Sequence, residues 1–339
     1  MRASRKLPRQ QRRRQVMATI IRLKAPGGPD QLERAEIELP APQPDEIRMR
    51  QTAIGVNFID VYQRMGLYPL PAAAIPGVEA AGVVTAIGSE VISIRIGDRI
   101  AYAGAPVGAY ASERNLPAWR AIPLPDSISD AAVACIMVKG ITAHMLLTRV
   151  YPVGAGTTVL IHSAAGGLGQ VLTRWAADLG AVVIGTVGSD SKAGIASNAG
   201  ARHVIVGRDA DFGRIVAELT QGRGVDVAYD GVGGTTLSKT LQCVRPFGMV
   251  ASMGQAAGAI PPINVDDLGP RRSLMLARPS VMAYMNSKDD YRIAADAVLA
   301  AVRDGVLRSD GTAYALADAA RAHADLEAGR STGSLYLVP

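Results

Sequence analysis

A glycine-rich turn carries the clearest chemical pattern in this sequence. It reads Ile161-His162-Ser163-Ala164-Ala165-Gly166-Gly167-Leu168-Gly169 and lies between a predicted strand and a predicted helix. Aligned on Ala164, the turn matches A-x-G-x-x-G, in which Gly166 lets the backbone approach a pyrophosphate and Gly169 lets the helix pack closely on the sheet. Free N–H groups and the helix dipole then hold the anion. The pattern predicts dinucleotide contacts at Ala165, Gly166, Gly167, Leu168 and Gly169, with a purely structural turn as the alternative.

The residues after the next predicted strand bear on the choice between NAD and NADP. An acidic residue about 20 positions beyond the glycines would bind the ribose 2′-hydroxyl of NAD. Ser189 occupies that position and Lys192 follows it, and both can bind a 2′-phosphate. Asp190 lies between them, and the sequence leaves its side-chain direction open. Arg208 is a further phosphate candidate, with a solvent-exposed loop charge as its alternative, so NADPH is favoured over NADH.

Histidines and cysteines offer no second catalytic arrangement. His162 ends the strand before the glycine turn and is expected to pack there, whereas His203 and His323 are expected at the surface. Cys135 lies in an apolar run and is expected to be buried. With Cys243 it makes only two cysteines, too few for a Cys-rich zinc site or a disulfide framework. No metal centre is predicted, and a reducing, cytoplasmic location is favoured.

Two different textures along the chain predict two domains. Residues 17–139 contain short alternating strands separated by Gly and Pro turns, which predicts a compact β unit. Residues 280–339 contain two predicted amphipathic helices and a terminal strand, which are expected to fold back onto that unit and make it discontinuous. The length of 339 residues also suits two domains, each with its own core.

The glycine turn lies in the remaining segment, residues 140–279. Strands alternate with helices here: a strand at 158–162 is followed by a helix at 167–179 and by a strand at 182–187. Such alternation predicts a doubly wound parallel sheet with helices on both faces. The predicted fold class is therefore α/β.

The positive charge of the protein is concentrated at its N-terminus. Thirty-six basic and 30 acidic residues give a formal net charge of +6, and seven of the cations lie within residues 1–16, which contain no acid. Without those seven, 29 basic residues face 30 acidic ones, so the body of the protein is close to neutral. Residues 1–16 are expected to form a disordered basic arm, either an inert extension or a segment for anion binding or targeting. No stretch of 18 or more apolar residues occurs, so no membrane span is predicted.

A second motif resembles a known superfamily. Gly77-Val78-Glu79-Ala80-Ala81-Gly82, with Gly88 and Val91 further on, resembles the G-x-E-x-x-G-x5-G-x-x-V motif of medium-chain dehydrogenases/reductases. In the zinc alcohol dehydrogenase branch a metal-binding His follows the first Gly, whereas this chain has Val78. The other usual Cys and His ligands and the four-cysteine lobe are also missing. The resemblance therefore implies a zinc-free branch.

Further segments are similar to the zinc-free NADPH:quinone oxidoreductases of the zeta-crystallin type. They are residues 53–62, 66–69, 139–142, 164–169, 185–188 and 278–280, and the similarity runs from Met17 to Pro339. It implies a Rossmann domain beside a GroES-like β-barrel domain that is split in sequence. It also implies an active site in the cleft between the two domains and a homodimer formed through the Rossmann domains.

The resemblance also implies roles for individual residues. Besides the glycine turn, the matched cofactor contacts are Asn57, Asp60, Tyr62, Thr142, Lys192, Met253, Gly254, Gln255 and Arg278. Asn57 is expected to hold the nicotinamide or the substrate, and Tyr62 and Tyr68 to wall the substrate site. The alternatives are packing at the domain interface for Tyr62 and a loop aromatic for Tyr68.

Two departures from the family weaken the NADPH assignment without overturning it. Val206-Gly207 stands where the family commonly has Asn-Tyr, so one adenosine-phosphate contact is expected to be lost. The C-terminal arginine of the family appears here as Arg330, shifted by one position.

The function predicted from these observations is NADPH-dependent quinone reduction, with hydride passing from the nicotinamide C4 to a quinone in the interdomain cleft without a metal. An enone or 2-alkenal reductase is the alternative among enzymes. A crystallin-like cofactor-binding or RNA-binding protein is the alternative from another class, and only the basic arm supports it. The expected partners are a small quinone or enone and a second copy of the chain, with neither membrane nor nucleic acid.

Overall fold

The computed structural model describes residues 16–308 and 311–339, so the predicted basic arm lies outside the described residues except for Val16. The N-terminal part consists mainly of antiparallel strands. Its elements are β1 (Val16–Leu23), β2 (Leu32–Leu39), β3 (Glu46–Val56), α1 (Phe58–Arg64), β4 (Glu79–Ile87), β5 (Arg99–Ala103), β6 (Glu113–Pro117) and β7 (Ile122–Pro123). Strands β1 and β2 form a hairpin, while β3 pairs with β4 and β6, and β4 pairs with β5. These pairings form the predicted β unit.

The middle of the chain alternates strands with helices, as the sequence predicts. Its elements are α2 (Asp130–His144), β8 (Thr158–Ile161), α3 (Gly167–Asp178), β9 (Val182–Val187), α4 (Ala193–Asn198), β10 (His203–Val206), α5 (Phe212–Leu219), β11 (Val225–Asp230), α6 (Thr236–Gln242), β12 (Val244–Ser252) and β13 (Met275–Ala277). The six strands form one parallel sheet in the order β10-β9-β8-β11-β12-β13. The order reverses between β8 and β11, and ligands of such sheets bind at the carboxyl ends of the strands beside this point.

The C-terminal part returns to the β unit. Its elements are α7 (Val281–Tyr284), α8 (Lys288–Arg303), β14 (Thr312–Ala315), α9 (Ala319–Glu327) and β15 (Leu335–Val338). Strand β15 pairs antiparallel with β3, and β14 pairs parallel with β15. The predicted fold class, a Rossmann sheet with a discontinuous GroES-like domain, is therefore confirmed, while the exact domain boundaries stay predictions.

Helix α2 differs from the sequence prediction. The sequence predicts β-strands and turns up to about Lys139, but the chain becomes helical at Asp130. Ser129 caps the helix, because its Oγ accepts the N–H of Ala132 at 3.2 Å. Residues Val133–Ala143 are all buried, because α2 packs against β3, β4 and β5 on one side and against α3 and α8 on the other.

This central position explains the apolar composition of α2. With the π-helical turn that follows it, the helix spans Asp130–Val150 and, among the described residues, is long and apolar enough by composition to cross a membrane. However, 78% of its most apolar window is buried inside the protein. We therefore attribute its hydrophobicity to its place in the core.

Candidate active site

A cleft of about 940 Å³ opens between the β unit and the Rossmann sheet. Its walls come from α1, α2, the carboxyl ends of the parallel strands and the segment before β15. The predicted site residues that line it are Asn57, Tyr62, Tyr68, Thr142, Ala165, Gly166, Gly167, Leu168, Gly169, Lys192, Arg208, Met253, Gly254 and Arg278. Residues up to 221 positions apart in sequence thus converge on one cavity.

The glycine turn has the geometry of an anion-binding helix start. Gly166 is the N-cap of α3, with φ −77° and ψ 170°, and it offers no side chain to cap the helix. The N–H groups of the first turn have no intrahelical acceptors and so remain available to a ligand. A Cβ at Gly169 would meet the carbonyl oxygen of Ser163 and lie 2.9 Å from the Cα of Ala164. Gly169 therefore permits close helix–strand packing, and the turn fits a pyrophosphate.

Two cations lie at the end of the cleft formed by β9 and β10. Lys192 donates from Nζ to the carbonyl oxygen of Gly329 at 2.7 Å. The Arg208 side chain is close to the same residue, because a Cβ at Gly329 would lie 3.7 Å from its Nη2. Ser189 does not line the cleft: it is exposed, and its hydroxyl pairs with Ser191 Oγ at 2.9 Å. The predicted phosphate contact of Ser189 is therefore not placed in the cavity, whereas those of Lys192 and Arg208 are.

Aromatic side chains form the opposite end of the cleft. Tyr62 is buried, and its hydroxyl oxygen accepts the backbone N–H of Gln255 at 2.9 Å, which links α1 to the loop after β12. Burial raises the pKa of the Tyr62 phenol. Tyr68 packs its ring edge-on against Tyr62 at 5.6 Å between centroids. Gln255 itself is not among the residues that line the cleft; its backbone N–H holds Tyr62, and its cofactor contact stays a prediction.

Asp60 also differs from its predicted role. Its side chain is completely buried outside the cleft wall, where Oδ2 accepts the N–H of Asn57 at 2.8 Å and the hydroxyl of Tyr110 at 3.1 Å. Burial raises the pKa of this carboxyl to about 7, against the lowering effect of the two hydrogen bonds. The Tyr110 hydroxyl also contacts His323 Nε2 at 2.9 Å. His323 is completely buried, so the prediction of a surface position is wrong. Asp60 caps α1, which carries Tyr62 into the cleft.

A buried polar cluster lies beside Asn57. Its members occur in the sequence motifs described above, but the motifs predict no role for them. Asn57 donates from Nδ2 to Glu79 Oε1 at 2.7 Å, and Val138 donates its N–H to Glu79 Oε2 at 2.7 Å. Lys139 places Nζ 3.5 Å from Glu79 Oε1 and lines the cleft. The signal that could have found the cluster is a single lysine within an apolar helix, since buried lysines are rare without a partner.

His162 packs as the sequence predicts. It is buried, and its ring lies 4.9 Å from the ring of Phe212. Its two ring nitrogens contact Thr186 Oγ1 at 3.0 Å and Thr240 Oγ1 at 2.9 Å, and burial lowers its pKa. These contacts fix the imidazole at the carboxyl end of β8.

Comparison with known proteins places this architecture in a family. Residues 43–126 match the alcohol dehydrogenase GroES-like domain, and residues 167–300 match the zinc-binding dehydrogenase domain. The chain is 41% identical to a quinone oxidoreductase of Pseudomonas aeruginosa, over 95% of this chain and 100% of the relative. The chain belongs to the quinone oxidoreductase family. The predicted resemblance is thereby confirmed.

Two further relatives cover almost the whole chain. A crystal structure of Escherichia coli quinone oxidoreductase complexed with NADPH superposes with a TM-score of 0.92 at 39% identity, covering 95% of this chain and 100% of that one. A 2-haloacrylate reductase of a Burkholderia species is 42% identical, over 96% of this chain and 99% of the relative. Both likenesses include the cleft and the glycine turn.

One of the two matched domains is described as zinc-binding, so we asked whether the residues of this protein could hold a zinc ion. Within residues 16–308 and 311–339, no group of three or more His, Cys, Asp or Glu side chains is placed to hold a metal ion. Val78, at the motif position discussed above, is completely buried and apolar. The described residues do not fit a zinc site, and we derive no step through a metal.

Proposed function

We propose that this protein is an NADPH-dependent quinone reductase. The observation that carries the proposal is the single cleft that joins a phosphate-binding helix start to an aromatic-walled chamber. The structural similarity to an Escherichia coli quinone oxidoreductase complexed with NADPH, which covers nearly the full length of both chains, supports the same cofactor and substrate class. A dinucleotide bound along the cleft would extend from Lys192 to Asn57.

The chain's own residues account for binding of the cofactor. The first-turn N–H groups of α3, at Gly167 and Leu168, hold the pyrophosphate. Lys192 and Arg208 hold the 2′-phosphate, and Arg208 takes over from the tyrosine that Gly207 replaces. Thr142 is buried on α2, donates its hydroxyl to the carbonyl oxygen of Val138 at 2.7 Å and lines the cleft, where it would contact the nicotinamide.

The aromatic end of the cleft is the proposed site of reduction. When bound, NADPH supplies a hydride from C4 of its nicotinamide. Tyr62 and Tyr68, whose rings meet edge-on, wall the acceptor and exclude water from it, and Asn57 is fixed by Glu79 so that it meets the nicotinamide or the substrate in one orientation. Arg278, which donates to Ser252 Oγ at 2.8 Å, lines the same cleft and would contact the cofactor.

Reduction of an enone or a 2-alkenal is the second candidate. It is favoured by the 42% identity to a 2-haloacrylate reductase, an enzyme whose name describes an activated alkene as substrate. In that reaction hydride goes to the β-carbon and the α-carbon is then protonated. The same cleft can hold either acceptor, because both are planar and conjugated.

The proposal includes a homodimer and a cytoplasmic location. Strand β13 is the last strand of the parallel sheet, and Met275 on it is 44% exposed. Pairing of this edge with its equivalent in a second copy would continue the sheet and cover that side chain. The two buried cysteines suit a reducing compartment.

A substrate panel tests the proposed function. Oxidation of NADPH and of NADH is followed with 1,4-benzoquinone, a naphthoquinone, a 2-alkenal and an alcohol, and we expect NADPH with a quinone to be fastest. We expect Asn57→Ala to lower kcat/KM about 100-fold and Tyr62→Phe about 10-fold, by loss of orientation in the cleft. Tyr314→Phe is the matched control, because that hydroxyl bonds Asp325 outside the cleft.

Three outcomes of the panel are distinct. Faster turnover of the alkenal assigns the second candidate. Alcohol oxidation inhibited by a chelator contradicts the metal-free proposal. Unchanged kcat/KM in both cleft variants contradicts the roles given to Asn57 and Tyr62.

A further inference from the structure

Lys139 is a buried cation that lines the cleft, and its amino group makes one long contact with a carboxylate. It lies on α2 one turn before Thr142, is 8% exposed, and lines the same cavity. Its Nζ has no hydrogen-bond partner among the described residues, and Glu79 Oε1 lies 3.5 Å away. An ammonium group has three N–H donors, so donor capacity remains for a ligand.

Stability alone does not explain a lysine at this position. Eleven consecutive residues of α2 are buried, and Lys139 is the one charged side chain among them. Removing a charge from water costs several kcal/mol, and a long contact to one carboxylate does not fully offset that cost. Apolar residues of similar volume often replace buried ion pairs without loss of stability, so we look to the cleft for the reason.

The surroundings of Lys139 place its amino group at the reducing end of the cleft. Glu79 Oε1 is shared by Lys139 and by Asn57, which donates to it at 2.7 Å. On the other side, the Lys139 side chain passes close to the start of α3, since a Cβ at Gly167 would lie 3.0 Å from its Cε. The amino group therefore lies between Asn57 and the glycine turn.

We propose that Lys139 donates a hydrogen bond from Nζ to the acceptor oxygen on which negative charge develops during reduction. The inference rests on the proposed function and adds a catalytic residue to it. The quinone gains two electrons and one hydrogen as hydride and becomes the hydroquinone monoanion. That anion then takes a proton from solvent and leaves as hydroquinone, while NADP⁺ remains. A preformed cation aimed at this oxygen stabilises the charge as it forms.

Glu79 is the positioning residue of this arrangement. It is completely buried, and both of its carboxylate oxygens are engaged, by Asn57 and by the N–H of Val138. A carboxylate fixed in this way orients the Asn57 amide by a hydrogen bond and attracts the Lys139 amino group by its charge. The weak 3.5 Å contact leaves Lys139 free to strengthen its bond to the substrate oxygen.

Variants at position 139 separate a catalytic role of Lys139 from a purely structural role and from a role in binding the cofactor. Lys139→Met removes charge and donor, Lys139→Gln keeps a neutral donor, and Lys239→Met is the matched control because Lys239 is exposed on α6. We expect kcat with 1,4-benzoquinone to fall about 100-fold in Lys139→Met and about 10-fold in Lys139→Gln, with KM for NADPH within 2-fold. Thermal melting of each free protein reports whether the variant folds.

A bound phenol provides a readout that does not depend on turnover. 4-Nitrophenol changes its visible absorbance on ionisation, and its phenolate oxygen imitates that of the hydroquinone monoanion. In the wild-type protein loaded with NADP⁺, we expect the apparent pKa of the bound phenol to fall by about one unit, because Lys139 stabilises the anion. That fall should disappear in Lys139→Met, be reduced in Lys139→Gln and persist in Lys239→Met. If Lys139→Met does not fold, Lys139→Gln decides the point.

The possible results assign failure to one idea or the other. A wild-type protein inactive with every quinone contradicts the proposed function, whatever position 139 does. An active wild type whose folded Lys139 variants keep both kcat and the phenolate shift contradicts the role of Lys139. A tenfold loss of NADPH affinity, measured by quenching of protein fluorescence, with kcat unchanged would make Lys139 a cofactor ligand and overturn the proposal.

Discussion

Among single residues, Asp60 couples the packing of α1 to pH. Its carboxyl is completely buried between Asn57 and Tyr110, and one of its oxygens, Oδ1, has no hydrogen-bond partner within the part of the chain that the structure describes. Burial raises its pKa from 3.8 to about 7, so between these values the folded protein keeps a proton that the unfolded chain has lost. Stability from this proton is complete below about pH 4 and is lost as pH rises through about 7.

Asp60→Asn should therefore remove part of the pH dependence of folding. Between pH 5 and pH 8 the wild type should lose roughly 3 kcal/mol of unfolding free energy relative to the variant, which has no carboxyl to titrate at this site. Urea unfolding at the two pH values measures the difference. Asp45→Asn, at an exposed position, should follow the wild type. Equal pH dependence in Asp60→Asn and wild type would contradict the raised pKa.

At the scale of elements, the glycine turn has two roles, and a different glycine serves each: one allows α3 to pack closely on β8, and the other keeps space open in the cleft. A Cβ at Gly169 would meet backbone atoms of Ser163 and Ala164, so this glycine sets how closely α3 approaches β8. A Cβ at Gly166 would find only the Ser163 carbonyl oxygen, at 3.2 Å, and otherwise faces the cleft. Gly166 has φ −77°, so its backbone conformation does not itself require glycine.

Alanine should therefore affect stability at one position and NADPH binding at the other. Gly169→Ala should cost about 2 kcal/mol of stability, because α3 must shift to relieve the overlap. Gly166→Ala should keep its melting temperature but bind NADPH about tenfold more weakly, because the methyl group occupies the space where the pyrophosphate approaches. Thermal melting and a fluorescence titration with NADPH measure the two effects. Identical behaviour of the two variants would show that the division of roles is wrong.

Across the whole molecule, a buried ion pair connects the N-terminal and C-terminal parts of the split β domain. Arg64 on α1 is 1% exposed, and its guanidinium donates two bonds, at 2.8 and 2.7 Å, to Glu327 at the end of α9. Removing one partner leaves the other charge buried without compensation. The pair therefore stabilises the return of the C-terminal segment to α1.

Glu327→Gln should destabilise the protein by roughly 3 kcal/mol, at the low end for buried pairs because Glu327 is 29% exposed. Glu33→Gln is the control, since its pair with Arg22 joins two side chains that are 44% and 35% exposed and should contribute less than about 1 kcal/mol. Chemical unfolding measures both. Equal losses in the two variants would argue against a special role for the Arg64 pair.

The parts of the site that the sequence predicted are those encoded by local spacing. The glycine turn, Lys192, Asn57 and Tyr62 all lie in the cleft as expected, whereas Asp60 of the same motif does not. Arg208, ambiguous in the sequence, lies there too, since β10 ends beside β9. Ser189 does not, because its direction depends on the turn after β9.

The sequence by itself indicated the fold class from the alternation of strands and helices and the glycine turn from the spacing within one strand–turn–helix unit. It indicated the family from motifs spread between Met17 and Pro339. Tertiary structure decided the burial of Asp60, His323 and Lys139 and hence their chemistry. Tyr110 stands 50 residues from Asp60 and 213 from His323, and Glu79 stands 60 residues from Lys139 in the chain. Burial and charge pairing depend on distance in space, and only the folded chain brings these groups together.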